Sequence, residues 1–303
     1  MQLMKKTKIK PTVFTTVSLM LIFLLINCVV INISNKNSKK ENISKPSNTL
    51  LSTAPENEVI DKSKVPEKTI EEKRKEISDK YGYETRDIEY IIANYITNVD
   101  GKKVAFLTFD DGPSTTNTPK VLDILNEKDV KATFFVLGKE IERSEETKAI
   151  FSEIYKNGHA IGNHSYSHDY NYLYPNRHVN TDNVLEDFTH SENVMKSVLG
   201  NDFKCNVVRF PGGHMSWDGM KAAEQFFIEH NMKYIDWNCL IGDSEVKNAT
   251  KDQLMEKFHA TYKNQDRLVV LMHDTYGKES TVEVLPEIID FLRSEGYEFG
   301  ILI

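Results

Sequence analysis

Cysteine is scarce. Cys28, Cys205 and Cys239 are the only three in 303 residues, too few for a disulfide-stapled fold. Cys28 falls in an apolar stretch. Cys205 and Cys239 read as buried free thiols, with pairing outside the cell as the alternative. Basic excess is also missing: 38 Lys and Arg stand against 45 Asp and Glu, a net charge of -7. That argues against nucleic acid as a partner, since nucleic acid favours concentrated basic surface. Internal repeats are absent. The chain has room for one large domain plus extensions, and reads as a monomer.

One long apolar run does stand out. Lys5, Lys6, Lys8 and Lys10 precede an uncharged stretch from Thr12 to Ile33. As a helix it would run about 33 Å, enough to cross a bilayer core. Residues 1–33 therefore read as a basic tail and a membrane helix kept as an anchor. A cleaved signal peptide ranks second, because its apolar region is normally shorter and followed by small residues. A lipid-modified Cys28 ranks third, because Asn27 stands where such signals want a small residue. Residues 34–66 are rich in Asn, Ser, Lys and Glu with few large apolar side chains, the composition of a stalk that cannot order itself. Thr69 to Lys80 alternates charge signs and reads as a short solvated helix. The linker is placed at 34–84 and the catalytic domain at 85–303. Ile88, Ile91, Ile92, Tyr95 and Ile96 follow helical spacing and are expected to pack on that domain.

From Lys103 on, apolar strand-like runs alternate with helical stretches. Strands are expected over 104–109, 132–136, 160–163, 207–210, 234–239 and 268–272. Helices are expected over 118–127, 146–157, 182–199, 218–230, 251–262 and 282–294. Such alternation predicts an α/β fold with parallel strands and helices outside.

Chemistry gathers at the strand ends. Thr108-Phe-Asp-Asp-Gly-Pro113 closes the first run, and His164-Ser-Tyr-Ser-His168 follows a later one. Adjacent strand residues face opposite sides, but at a strand end the chain can twist both carboxylates into one pocket. One carboxylate with two histidines makes an Asp-His-His set. Three protein ligands and an open position is the pattern of a catalytic metal, where structural zinc takes four.

Five ordered blocks carry a resemblance to the polysaccharide deacetylases, the fourth carbohydrate esterase family. They are the two above, Arg209-Phe-Pro-Gly-Gly213, Trp237 through Asp243, and Leu271-Met-His273. Within that family the chain most resembles the membrane-anchored peptidoglycan N-acetylglucosamine deacetylases. The resemblance covers roughly residues 100–303 and implies a distorted (β/α) barrel of about seven strands, with its chemistry at the C-terminal ends of the strands. It implies one divalent metal, zinc or cobalt, on Asp111, His164 and His168. Asp110 would be the base, held by Arg209, whose guanidinium would lower its pKa. His273 would be the acid, oriented and kept protonated by Asp243. Gly212 N–H would hold the oxyanion, with Pro211 and Trp237 beside the substrate. Trp217 and Trp237 either stack on sugars or pack in the core. Two departures remove bulk from the groove: Gly212 stands where relatives often carry an aromatic, and so does Ser244. The resemblance also implies an outward-facing enzyme that releases acetate from N-acetylglucosamine in peptidoglycan. The alternatives are N-acetylmuramic acid or another acetylated polysaccharide, and, in a different class, an inactive glycan-binding wall module. A sugar hydrolase working with two carboxylates would not need the histidine pair.

Overall fold

A computed structural model describes residues 68–303. The expected membrane segment, the stalk and Cys28 lie outside the described residues. Among those described, no helix is long and apolar enough to cross a membrane.

The described chain begins with helix α1 (Ile70–Tyr81), short strand β1 (Gly82–Tyr83) and helix α2 (Thr85–Ala93). Thr69 and Glu72 form a reciprocal cap that starts α1, satisfying backbone donors that a helix leaves free. No residue of α1 is buried, as its mixed charges predict, yet it is docked. Arg74 donates to the carbonyls of Tyr155, at 2.6 Å, and His159, at 3.3 Å, and lies 3.8 Å above the Tyr155 ring. In α2, Ile88 is buried as its spacing predicts. Tyr95 instead turns at φ 54 and is 87% exposed, so the apolar stripe ends before it.

The main sheet and its helices follow as β2 (Val104–Asp110), α3 (Thr118–Glu127), β3 (Thr133–Val136), α4 (Gly138–Ile141), α5 (Glu145–Lys156) and β4 (Ala160–Asn163). Next come α6 (Tyr170–Leu173), α7 (Thr181–Leu199), β5 (Val207–Val208), α8 (Met220–Glu229), β6 (Lys233–Tyr234) and β7 (Cys239–Leu240). The chain closes with α9 (Lys251–Thr261), β8 (Arg267–His273), α10 (Glu279–Ser294), β9 (Glu298–Phe299) and β10 (Ile301–Leu302). Seven strands run in the order β6-β5-β4-β3-β2-β8-β7. Every pairing is parallel. β9 adds to the start of β2, and β1 pairs with β10. The result is a half-barrel with helices, consistent with a distorted (β/α) barrel. β2 and β8 are buried along their whole length, because their outer face packs on the surrounding helices and their inner face on the side chains that fill the barrel interior, leaving no solvent side.

One strand departs from expectation. Residues 234–239 do not form a continuous strand; β6 and β7 end and restart around 235–238, and they do not pair with each other. Their backbone groups are claimed from elsewhere. Arg209 takes the carbonyls of Ile235 and Asp236, and the Asn238 amide bridges Arg267 O and Val269 N. The barrel is open at this point. Cys205 and Cys239 are free buried thiols, as expected.

Candidate active site

The sheet register brings the motifs together. Asp110, the last residue of β2, lies opposite His273, the last of β8. Asn163, just before His164, lies opposite Val208, just before Arg209. Asp111 then leaves the strand at φ 69. That left-handed turn is uncommon for a residue with a Cβ, and it swings the second carboxylate into the same mouth as the first. Ser165 and His168 also have positive φ, 76 and 52. Three such sparsely populated conformations thus surround one pocket.

Ligand-capable atoms of Asp111, His164 and His168 all lie within 4.8 Å of one another. Asp111 Oδ1 is 3.5 Å from Nε2 of both histidines. It is buried and has no hydrogen-bond partner, a costly condition for a carboxylate oxygen. The spacing is too long for a good hydrogen bond and close to the ~3.3 Å edge of a tetrahedron with ~2.0 Å bonds. His164 Nδ1–H donates to the Arg209 carbonyl at 2.7 Å, which leaves the Nε2 lone pair facing the cluster. Burial, helped by His168, pushes the His164 pKa down to about 3, so the ring is neutral as a ligand must be. The donor set fits a divalent ion.

Asp110 sits beside this cluster, 2% exposed. Arg209 Nη1 donates to its Oδ1 at 2.8 Å, while Oδ2 faces His164 Nε2 at 3.7 Å. Arg209 is fully buried and spreads its other bonds over Thr108 Oγ1, Ile235 O and Asp236 O. Arg209 lowers the Asp110 pKa, as expected, yet the net shift is upward. Burial raises it more than Arg209 and His273 lower it.

Across the mouth, His273 Nδ1 lies 2.8 Å from Asp243 Oδ1. Its own N–H and the Thr281 hydroxyl both donate to Oδ2, at 2.7 and 2.8 Å. Burial would lower the His273 pKa, but Asp243, with Asp111 and Asp110, outweighs it and pushes the pKa up to about 9. His273 Nε2 is 4.0 Å from Asp111 Oδ2.

A polysaccharide deacetylase family profile matches residues 97–229. A CE4 esterase of Streptococcus mutans aligns with a TM-score of 0.68 at 36% identity, over 75% of this chain and 94% of that one. The chain belongs to the polysaccharide deacetylase family. The catalytic domain of a peptidoglycan N-acetylglucosamine deacetylase from Eubacterium rectale aligns with a TM-score of 0.58 at 31% identity, over 68% and 90% of the two chains. A peptidoglycan-N-acetylglucosamine deacetylase of Bacillus cereus is 34% identical over 199 residues, 64% of this chain and 64% of that protein.

The groove of this deacetylase differs from the open one that Gly212 suggested. Gly212 has φ 80, and a Cβ there would meet Trp217 Cζ2 at 3.1 Å. Trp217, from five residues on, occupies the space that a side chain at 212 would take. The Gly212 N–H has no protein acceptor among the described residues. The Pro211 carbonyl accepts from Trp217 Nε1 at 2.8 Å. Trp237 lies under Gly213, whose Cβ would come within 2.9 Å of the ring, and packs on a core cluster with Arg209 5.6 Å from its centre.

Sequence reading of this deacetylase missed Asp274. It is fully buried, and Thr118 Oγ1 donates to its Oδ2 at 2.5 Å. Burial, with Asp111 and Asp110 nearby, pushes its pKa up to about 7 against that hydrogen bond. Its carboxylate fills the space over Gly112, where a Cβ would lie 2.5 Å from Oδ1. The adjacency His273-Asp274 and the glycine after Asp111 were the available signals.

Proposed function

We propose that this enzyme removes the acetyl group from N-acetylglucosamine residues of cell-wall peptidoglycan, by metal-dependent hydrolysis that releases acetate. We also propose that it does so as a monomer facing outward, tethered to the cytoplasmic membrane by residues 12–33. The observation that carries the chemistry is the buried, unpartnered Asp111 Oδ1 set equally between two imidazole nitrogens.

A bound divalent ion, zinc or cobalt, would lower the pKa of water and polarise the acetyl carbonyl. Asp111, His164 and His168 would hold it. Asp110 accepts the proton of the attacking water through Oδ2, the oxygen that Arg209 leaves free. Arg209 holds Asp110 in place and keeps its charge tolerable in a buried site. As the carbonyl carbon becomes tetrahedral, the Gly212 N–H donates to its oxygen. His273, held by Asp243 through Nδ1, delivers a proton from Nε2 to the leaving amine. Asp110, directly, and Asp243, through His273, thus serve one reaction with different protonation needs.

The substrate reading rests on the activities of its relatives, combined with an anchor-and-stalk sequence that would set the domain within the wall. Treating purified peptidoglycan with the full-length protein and weighing the muropeptides tests both parts. The expected product lacks one acetyl group, assigned by fragmentation to glucosamine. Chelation should abolish its formation, and zinc or cobalt should restore it. Loss of acetyl from muramic acid instead would change the substrate. Full activity in His164→Ala after exhaustive chelation would overturn the metal site.

A further inference from the structure

Tyr170 stands at the rim of the ligand cluster, two residues beyond His168. Its ring lies 5.1 Å from the His168 ring and is 43% exposed. Asp169 fixes the start of α6 by accepting from the N–H groups of Asn171 and Tyr172, so Tyr170 is not carried on a free loop. Behind it stands Trp217, 5.0 Å away and tilted by 56°.

Trp217 is pinned on three sides. Its Nε1–H donates to the Pro211 carbonyl. Its face stacks on Tyr174 at 4.2 Å and 12°, and Tyr174 is itself 2% exposed. Its edge lies against Gly212. Tyr170 differs: its ring neighbours sit at 43°, 45° and 56°, none of them parallel to it. No stacked ring occupies its face. Trp237, the other aromatic considered for sugar contact, is packed under Gly213 and against Arg209. An exposed ring backed by immobile aromatics suits the CH-rich face of a pyranose, because little side-chain freedom is lost on binding.

We propose that Tyr170, backed by Trp217 and Tyr174, is a specificity-determining residue that holds the pyranose flanking the one that loses its acetyl group. The enzyme would therefore favour chains over single sugars. This inference rests on the deacetylase reading of the same site.

The probes are N-acetylglucosamine and its β-1,4 tetramer, with acetate release measured on the zinc-loaded full-length protein. Wild type should show a higher kcat/KM on the tetramer. In Tyr170→Ala the loss on the tetramer should exceed the loss on the single sugar by about 3- to 10-fold, the size expected of one ring contact, and should fall mainly on KM. Tyr170→Phe keeps the ring and should behave like wild type. Equal losses on both sugars, or a Phe variant as poor as the Ala variant, would overturn the inference while leaving the deacetylase reading standing. A wild type that releases no acetate from either sugar or from peptidoglycan would overturn both.

Discussion

Two buried carboxylates stand at the strand ends of the half-barrel, one on either partner of the Asp110–His273 register pair, and their surroundings have opposite effects. Asp110 and Asp243 are 2% and 6% exposed, and each touches a cationic partner. Yet the Asp110 pKa is raised and the Asp243 pKa is lowered. Burial is the largest influence on both and raises both; the donors decide the net sign. Asp243 receives the His273 ring, the His273 N–H and the Thr281 hydroxyl. Asp110 receives Arg209 on one oxygen only, and that guanidinium divides itself among three other acceptors. A carboxylate saturated with donors stays anionic and can orient a neighbour. A buried one with a spare oxygen can take a proton. The same residue type thus serves two roles on one rim.

Breaking the comparison at its reactive side should have the largest effect. Asp110→Asn keeps shape and removes the proton acceptor. Its rate should fall by at least about 10²-fold with bound metal unchanged, measured as acetate release and metal content on one sample. A near-wild-type rate would show that another group accepts the proton.

Asp243→Asn attacks the other side. With the anion gone, burial again dominates His273 and lowers its pKa from about 9. The protonated imidazole is the acid, so activity falls as pH rises through that pKa. The basic limb of the pH profile should therefore move to lower pH. A limb that stays put would make Asp243 a structural residue.

Thr281→Val should have the smallest effect. It deletes one donor to Asp243, a loss of about 1 kcal/mol. Asp243 has a depressed folded-state pKa, so its stabilisation is present above the unfolded pKa and is lost as pH falls through the folded one. Losing a donor raises the folded pKa, and acid unfolding should begin at a less acidic pH. Thermal melts between about pH 2 and 6 would show the shift.

Much of this was legible in the sequence. The strands around 104–109 and 268–272 are nearly continuous apolar runs, so burial on both faces wrote them plainly. The ligand candidates were legible because strand ends concentrate chemistry. What escaped depended on distant partners. The break at 235–238 is made by Arg209 from another strand, and nothing in Tyr234–Cys239 announces it. Gly212 looked like open space because the ring that fills it comes from Trp217. Asp274 passed unseen because its importance lies in filling the space over Gly112. The net rise at Asp110 follows from depth of burial, which motif spacing does not encode.

The most direct test is the pH dependence of kcat/KM for wild type, Asp110→Asn and Asp243→Asn, with metal content verified in each. Wild type should rise with pH as Asp110 loses its proton and fall as His273 loses its own. The rising limb should vanish in Asp110→Asn alone, and the falling limb should move in Asp243→Asn alone. A rising limb that survives unchanged in Asp110→Asn, or a single substitution that shifts both limbs equally, would contradict the division of roles between the two carboxylates.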